Sequence, residues 1–218
     1  MRQLMLPNKS QRQLELIRFF FANRGKLFNY DDLAAILDSS ISVVFSDIQD
    51  IELSFTEELQ VERQSKQGIT LKIKPHLSYN YFFKKYAQNS TEFRLLDGLI
   101  HQRYQRMNQA ADDLFVSRTT ISRAIDHMNE FFNHRGWPIL VQRSPMSLKM
   151  DETIYRQVYP LFVDAFYFLK DWPFDQVSYS AIHEFFNQFA KVSTFFTMAQ
   201  RYPITYIRLA CNLTRYLD

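Results

Sequence analysis

With 218 residues, 46% hydrophobic and 22% charged, and with only four glycines and one cysteine, the chain can hold two or three small domains. That composition excludes a disordered, collagen-like or disulfide-framed protein. The 26 Lys and Arg exceed the 23 Asp and Glu by three, and the absence of a signal-like or membrane-length apolar run predicts a soluble, cytoplasmic protein.

Periodicity predicts a mainly α fold with small β-hairpin wings. An amphipathic helix is expected over Ser10–Asn23, with Leu14, Ile17, Phe20 and Phe21 at helical spacing, Ser10 as cap and Gly25 as stop. Asn29 caps a short helix over Tyr30–Leu37, and a third helix follows Ser39–Ser40 through Val43, Val44, Ile48 and Ile51. The pattern then alternates in Leu59–Arg63 and Ile69–Lys74, two strands joined by a polar loop. Three helices and a hairpin predict a winged helix-turn-helix.

The same order recurs about eighty residues later. A connecting helix over Tyr79–Gln88 leads to helices over Thr91–Gln102, Asn108–Leu114 and Arg118–Asn133, then to short strands over Ile139–Gln142 and Ser147–Met150. The remainder reads as a helical bundle segment: Asp151–Leu169, broken by Trp172-Pro173-Phe174, then Tyr179–Val192, Ser193–Arg201 and Ile204–Tyr216. Three domains are expected, over 8–76, 77–150 and 151–218.

The chemistry sits in Ala111–Ile125. Ala111 is small where two helices cross, while Leu114, Val116, Ile121 and Ile125 form the core beneath the turn. Ser117 caps the second helix, leaving Arg118, Thr119, Thr120, Ser122 and Arg123 to meet phosphates and base edges in a major groove. Arg143, in the second wing, joins this candidate DNA-binding set. Charge supports the placement: residues 61–149 hold fourteen basic against seven acidic side chains, whereas 1–60 hold six against nine and 150–218 six against seven.

The first copy reads differently. Its recognition helix has no Lys or Arg between Ser39 and Leu53 and carries Asp47, Asp50 and Glu52, which repel phosphate unless they face away from the duplex. Its wing holds Arg63, Lys66, Lys72 and Lys74, expected to touch the DNA backbone while the rest of the unit is scaffold.

The tandem winged units, the run Leu114-Phe-Val-Ser-Arg-Thr-Thr-Ile-Ser-Arg123 and Trp172-Pro-Phe174 together resemble the Mga family, the trans-acting virulence and sugar-responsive regulators of Gram-positive bacteria. The resemblance is most specific over Thr91–Glu152 and looser over Ser10–Pro75. One departure is Met150, which stands where the family has a glycine. The resemblance implies transcription activation, self-association, double-stranded DNA and phosphotransferase-system proteins as partners, and regulation by histidine phosphorylation. It also implies that residues 151–218 begin a phosphotransferase-regulation-type domain and that the chain is a fragment or a shortened member. His183 is the one histidine in that region and so the candidate phosphorylation site, although a lone helical histidine is more often structural.

No P-loop, dinucleotide turn, nucleophile elbow or metal-ligand spacing is present, so no enzyme activity, cofactor or metal is expected. An RNA-binding antiterminator is the alternative, disfavoured because such proteins open with a β domain. A protein–protein adaptor with degenerate winged units is the other.

Overall fold

The computed structural model describes residues 5–65, 67–193 and 202–217, and the chain divides into two compact units, Leu6–Tyr86 and Ala87–Asp218 together with the first five residues. Among the described residues the fold is mainly helical with two antiparallel hairpins, as the patterning predicts.

In the first unit, α1 spans Asn8–Ala22 and buries Leu14, Leu16, Ile17 and Phe20. It starts before Ser10: Pro7 takes the capping position, its fixed φ of −55° leading into the helix, and Ser10 lies inside. Asn29 caps α2 (Tyr30–Ile36) by accepting from the Asp32 amide, and Ser40 caps α3 (Ile41–Ser54) by accepting from Val43. Each such cap is typically worth about 1 kcal/mol. The wing pairs β1 (Leu59–Gln64) with β2 (Gly68–Ile73), Val61 facing Leu71. Phe28 adds a bridge to Ile69, with N···O distances of 3.0 and 2.8 Å. Beside it Gly68 has φ +110°, and a Cβ there would strike the Phe28 carbonyl, so glycine alone fits. The core closes around Phe20, Phe55 and Phe82. The boundary between the units falls within α4 (Tyr79–Asn89), after Tyr86.

The second unit contains α5 (Thr91–Ile100), α6 (Met107–Leu114) and α7 (Arg118–His134), followed by the wing of β3 (Leu140–Arg143) and β4 (Met146–Lys149). Ser90 caps α5 at the Phe93 amide. Tyr104 packs against Gly98, where any Cβ would enter its ring, and its hydroxyl donates to Asp113 of α6. Asn129 of α7 holds the wing from both sides, accepting from the Val141 amide at 2.8 Å and donating to its carbonyl at 3.1 Å. The Met146 amide donates to the Gln105 carbonyl at 2.9 Å.

Beyond the wing, Asp151 caps α8 (Glu152–Phe166) at the Ile154 amide. Two expectations change here. The helix expected to reach Leu169 stops at Phe166, and Leu169–Asp171 form a separate 3₁₀ turn. Nor does Trp172-Pro-Phe break it, since the chain is already extended at Tyr167 (ψ 140°). The reason lies elsewhere in the sequence: the Tyr167 hydroxyl donates to Asp97, buried on α5. Trp172 instead donates from Nε1 to the Val177 carbonyl at 2.7 Å and packs on Phe174 and Tyr179. Helices α9 (Tyr179–Ala190) and α10 (Pro203–Leu217) follow, and α10 packs on α8. The helix expected around Ser193–Arg201 lies outside the described residues.

Candidate nucleic-acid interface

The segment Met107–His134 is a helix-turn-helix built as its residue types require. Ala111, Leu114, Ile121, Ala124 and Ile125 are buried, with Val116 half-buried beneath the turn. The Val116 amide returns to the Ala111 carbonyl at 3.0 Å, closing α6. Phe115 adopts the left-handed conformation (φ 56°, ψ 43°) at the end of α6, with 91% of its surface exposed. Ser117 Oγ then accepts from the Thr120 amide at 3.0 Å, which orients the first turn of α7.

That cap sorts the candidate contacts. Thr120 is half-buried and its hydroxyl is engaged with Ser117 Oγ at 2.9 Å, so it serves the cap. Ser122 is half-buried, and its carbonyl lies 3.4 Å from the Arg143 guanidinium. Arg118, Thr119 and Arg123 are exposed. Neither arginine has a hydrogen bond or ion pair among the described residues. Two guanidiniums without counter-ions thus occupy the N-terminal half of α7, where helical N–H groups also favour an anion.

Arg143 is placed differently. Its guanidinium forms an ion pair with Asp126 of α7, a residue that sequence reasoning left out. The two lie seventeen positions apart on separate elements, and no local pattern announces such a pairing. Asp126 follows Arg123 by three positions and Ser122 by four, so it shares their helical face.

Half-buried His127, also on α7, donates from Nδ1 to the Glu92 carboxylate of α5 across 3.0 Å, a hydrogen bond that raises the imidazole above its ordinary pKa against the effect of burial. On α5 itself, Asp97 gathers His101, Arg103 and Tyr167. Burial pushes this carboxyl up, but the hydrogen bonds from His101 and Tyr167 and the neighbouring cations outweigh burial and hold it below the usual range.

The first unit places its charges otherwise. Asp47 is 1% exposed and bound by Arg12 and Gln13 of α1, while Asp50 meets Lys9 at 2.7 Å. Glu52 takes a two-pronged pair from Arg63 at 3.0 and 2.6 Å, which lowers its pKa. The carboxylates of α3 are therefore neutralised within the unit, and the face left exposed carries Ile41, Phe45, Gln49 and Leu53. Of the wing cations, Arg63 is held by Glu52 and Lys72 by Glu62 at 2.5 Å. Lys74 is exposed without an ion pair among the described residues, and Lys66 lies outside them.

His183 is exposed on α9, its ring beside Tyr179 and Tyr206 and its Nδ1 3.0 Å from the Asn187 amide nitrogen. No helix among the described residues is long and apolar enough to cross a membrane.

Among curated proteins no match is found. A family model does match, over residues 75–162, and it is that of the Mga helix-turn-helix domain. The matched stretch runs from just past the first wing through α4, α5, α6, α7 and the second wing into α8. The second winged unit of this chain is thus similar to the Mga helix-turn-helix domain.

Proposed function

We propose that the protein is a DNA-binding transcription regulator of the Mga type that contacts promoter DNA mainly through α7 of the second winged unit. The observation that carries this reading is the pair Arg118 and Arg123, exposed at the start of α7 and without counter-ions among the described residues. A guanidinium is suited to bidentate recognition of guanine and to phosphate. The winged architecture and the match to a Mga helix-turn-helix domain support the same reading. A cytoplasmic location, self-association and a response to phosphotransferase-system proteins through His183 extend it on the strength of the family resemblance.

The test is selection of a preferred site from a pool of random duplexes, followed by gel shifts with that site. Arg118→Ala with Arg123→Ala is expected to weaken binding on the order of 100-fold or more, with an unchanged circular dichroism spectrum. Full retention of binding by this variant would remove α7 from the interface.

A further inference from the structure

Arg143 and Asp126 join the wing to α7 on the face that carries Arg123, and the pair is open to solvent: 43% of the Arg143 side chain and 66% of that of Asp126 are exposed. An exposed ion pair adds little to stability. The wing, moreover, is already fixed to its surroundings by the two Asn129–Val141 hydrogen bonds and the Met146–Gln105 bond. The weight of the pair therefore falls on what this surface offers a ligand. Without Asp126, Arg143 is a free cation that any phosphate attracts. Without Arg143, Asp126 is a bare carboxylate beside Arg123 that repels every duplex. Joined, they present no net charge.

We propose that Asp126 is a specificity-determining residue, a latch that holds the Arg143 guanidinium against α7. Phosphates of arbitrary sequence do not displace the carboxylate, so Arg143 adds nothing to non-specific binding. A site offering a better-placed acceptor, such as the O6 and N7 of guanine, draws the guanidinium off Asp126. The latch thus widens the gap between specific and non-specific affinity rather than raising affinity overall. This inference rests on the reading of α7 as the DNA-contacting helix.

The experiment compares four full-length proteins: wild type, Asp126→Asn, Arg143→Gln and the double variant. Each is titrated against the selected duplex and a scrambled duplex of equal length over a range of salt concentrations. Freeing one cation steepens the log–log salt slope by about 0.9, or about eightfold tighter binding near 0.1 M salt. Asp126→Asn is therefore expected to bind the scrambled duplex about eightfold more tightly while its preference for the selected site shrinks. Arg143→Gln should bind the scrambled duplex more weakly than wild type. The double variant should return to about wild-type affinity there, since the charges cancel, yet lose affinity for the selected duplex. Unchanged slopes in both single variants would place the pair off the DNA and overturn the latch. Equal weakening of both single variants on both duplexes, with lowered melting temperatures, would make the pair a wing anchor and overturn it as well. A wild type that discriminates between duplexes while the single variants leave the slope alone defeats the latch only; a wild type that binds neither duplex defeats the reading of α7 along with it.

Discussion

Phe115 is a residue whose stability cost is visible in two quantities. Its φ of 56° puts a bulky side chain in the left-handed region, which costs about 1–2 kcal/mol. Its 91% exposure leaves no burial to offset that cost. Phe115→Gly is accordingly expected to raise stability by about 1 kcal/mol, a rise of about 2–4 °C in melting temperature for a chain of this size. A lowered melting temperature would mean that the ring contributes to the fold. The turn at 115–117 is legible in the sequence from Ser117 and the apolar spacing around it. The conformation of Phe115 is not, because Gly or Asn is the residue that ordinarily marks a left-handed helix end. Asp126 was illegible for a related reason: its partner lies on another element, and only the folded wing brings Arg143 to it.

Contacts between elements explain most of the differences from the sequence reading. Gly98 sits within α5, and Tyr104 fills the space above it and ties to Asp113. Gly98→Ala is expected to cost about 1–3 kcal/mol by displacing that ring, measured by urea unfolding. A neutral result would show that Tyr104 can move aside freely. The early end of α8 likewise coincides with a contact between elements, the Tyr167 hydroxyl donating to Asp97 seventy residues earlier.

The links His127–Glu92 and His101–Asp97 also act between and along helices, and their hydrogen bonds raise both imidazoles. A raised folded pKa means a contribution that is complete below the unfolded value of about 6.5 and lost as pH rises through the folded values. Unfolding free energy should therefore fall as pH climbs from about 6.5. His127→Gln should make that fall shallower, and a parallel pH profile would exclude His127 as a contributor.

Across the whole molecule, the charge split seen in the sequence becomes a split between used and unused charge. Residues 1–60 hold six basic against nine acidic side chains, and α3, Arg12, Lys9 and the first wing largely neutralise one another. In the second unit Arg118 and Arg123 remain unengaged among the described residues. Both winged units were legible from apolar spacing and caps, since those signals are local. Which of them had cations to spare was only half legible, because an ion pair such as Arg63–Glu52 joins residues eleven apart across a turn. Arg63→Gln with Lys72→Gln is expected to change the salt slope of DNA binding by less than about one, whereas removing Arg118 and Arg123 lowers it by up to about two. A large drop in the first case would restore the first wing to the interface. Asp47, finally, limits how this scaffold could be given a second reading head. It is buried under Arg12 and Gln13, so charge reversal there would strand a guanidinium and loosen α1 from α3. A designer seeking a two-headed reader would have to leave that carboxylate alone and install cations at Ile41, Phe45 and Gln49, positions whose side chains already point to solvent.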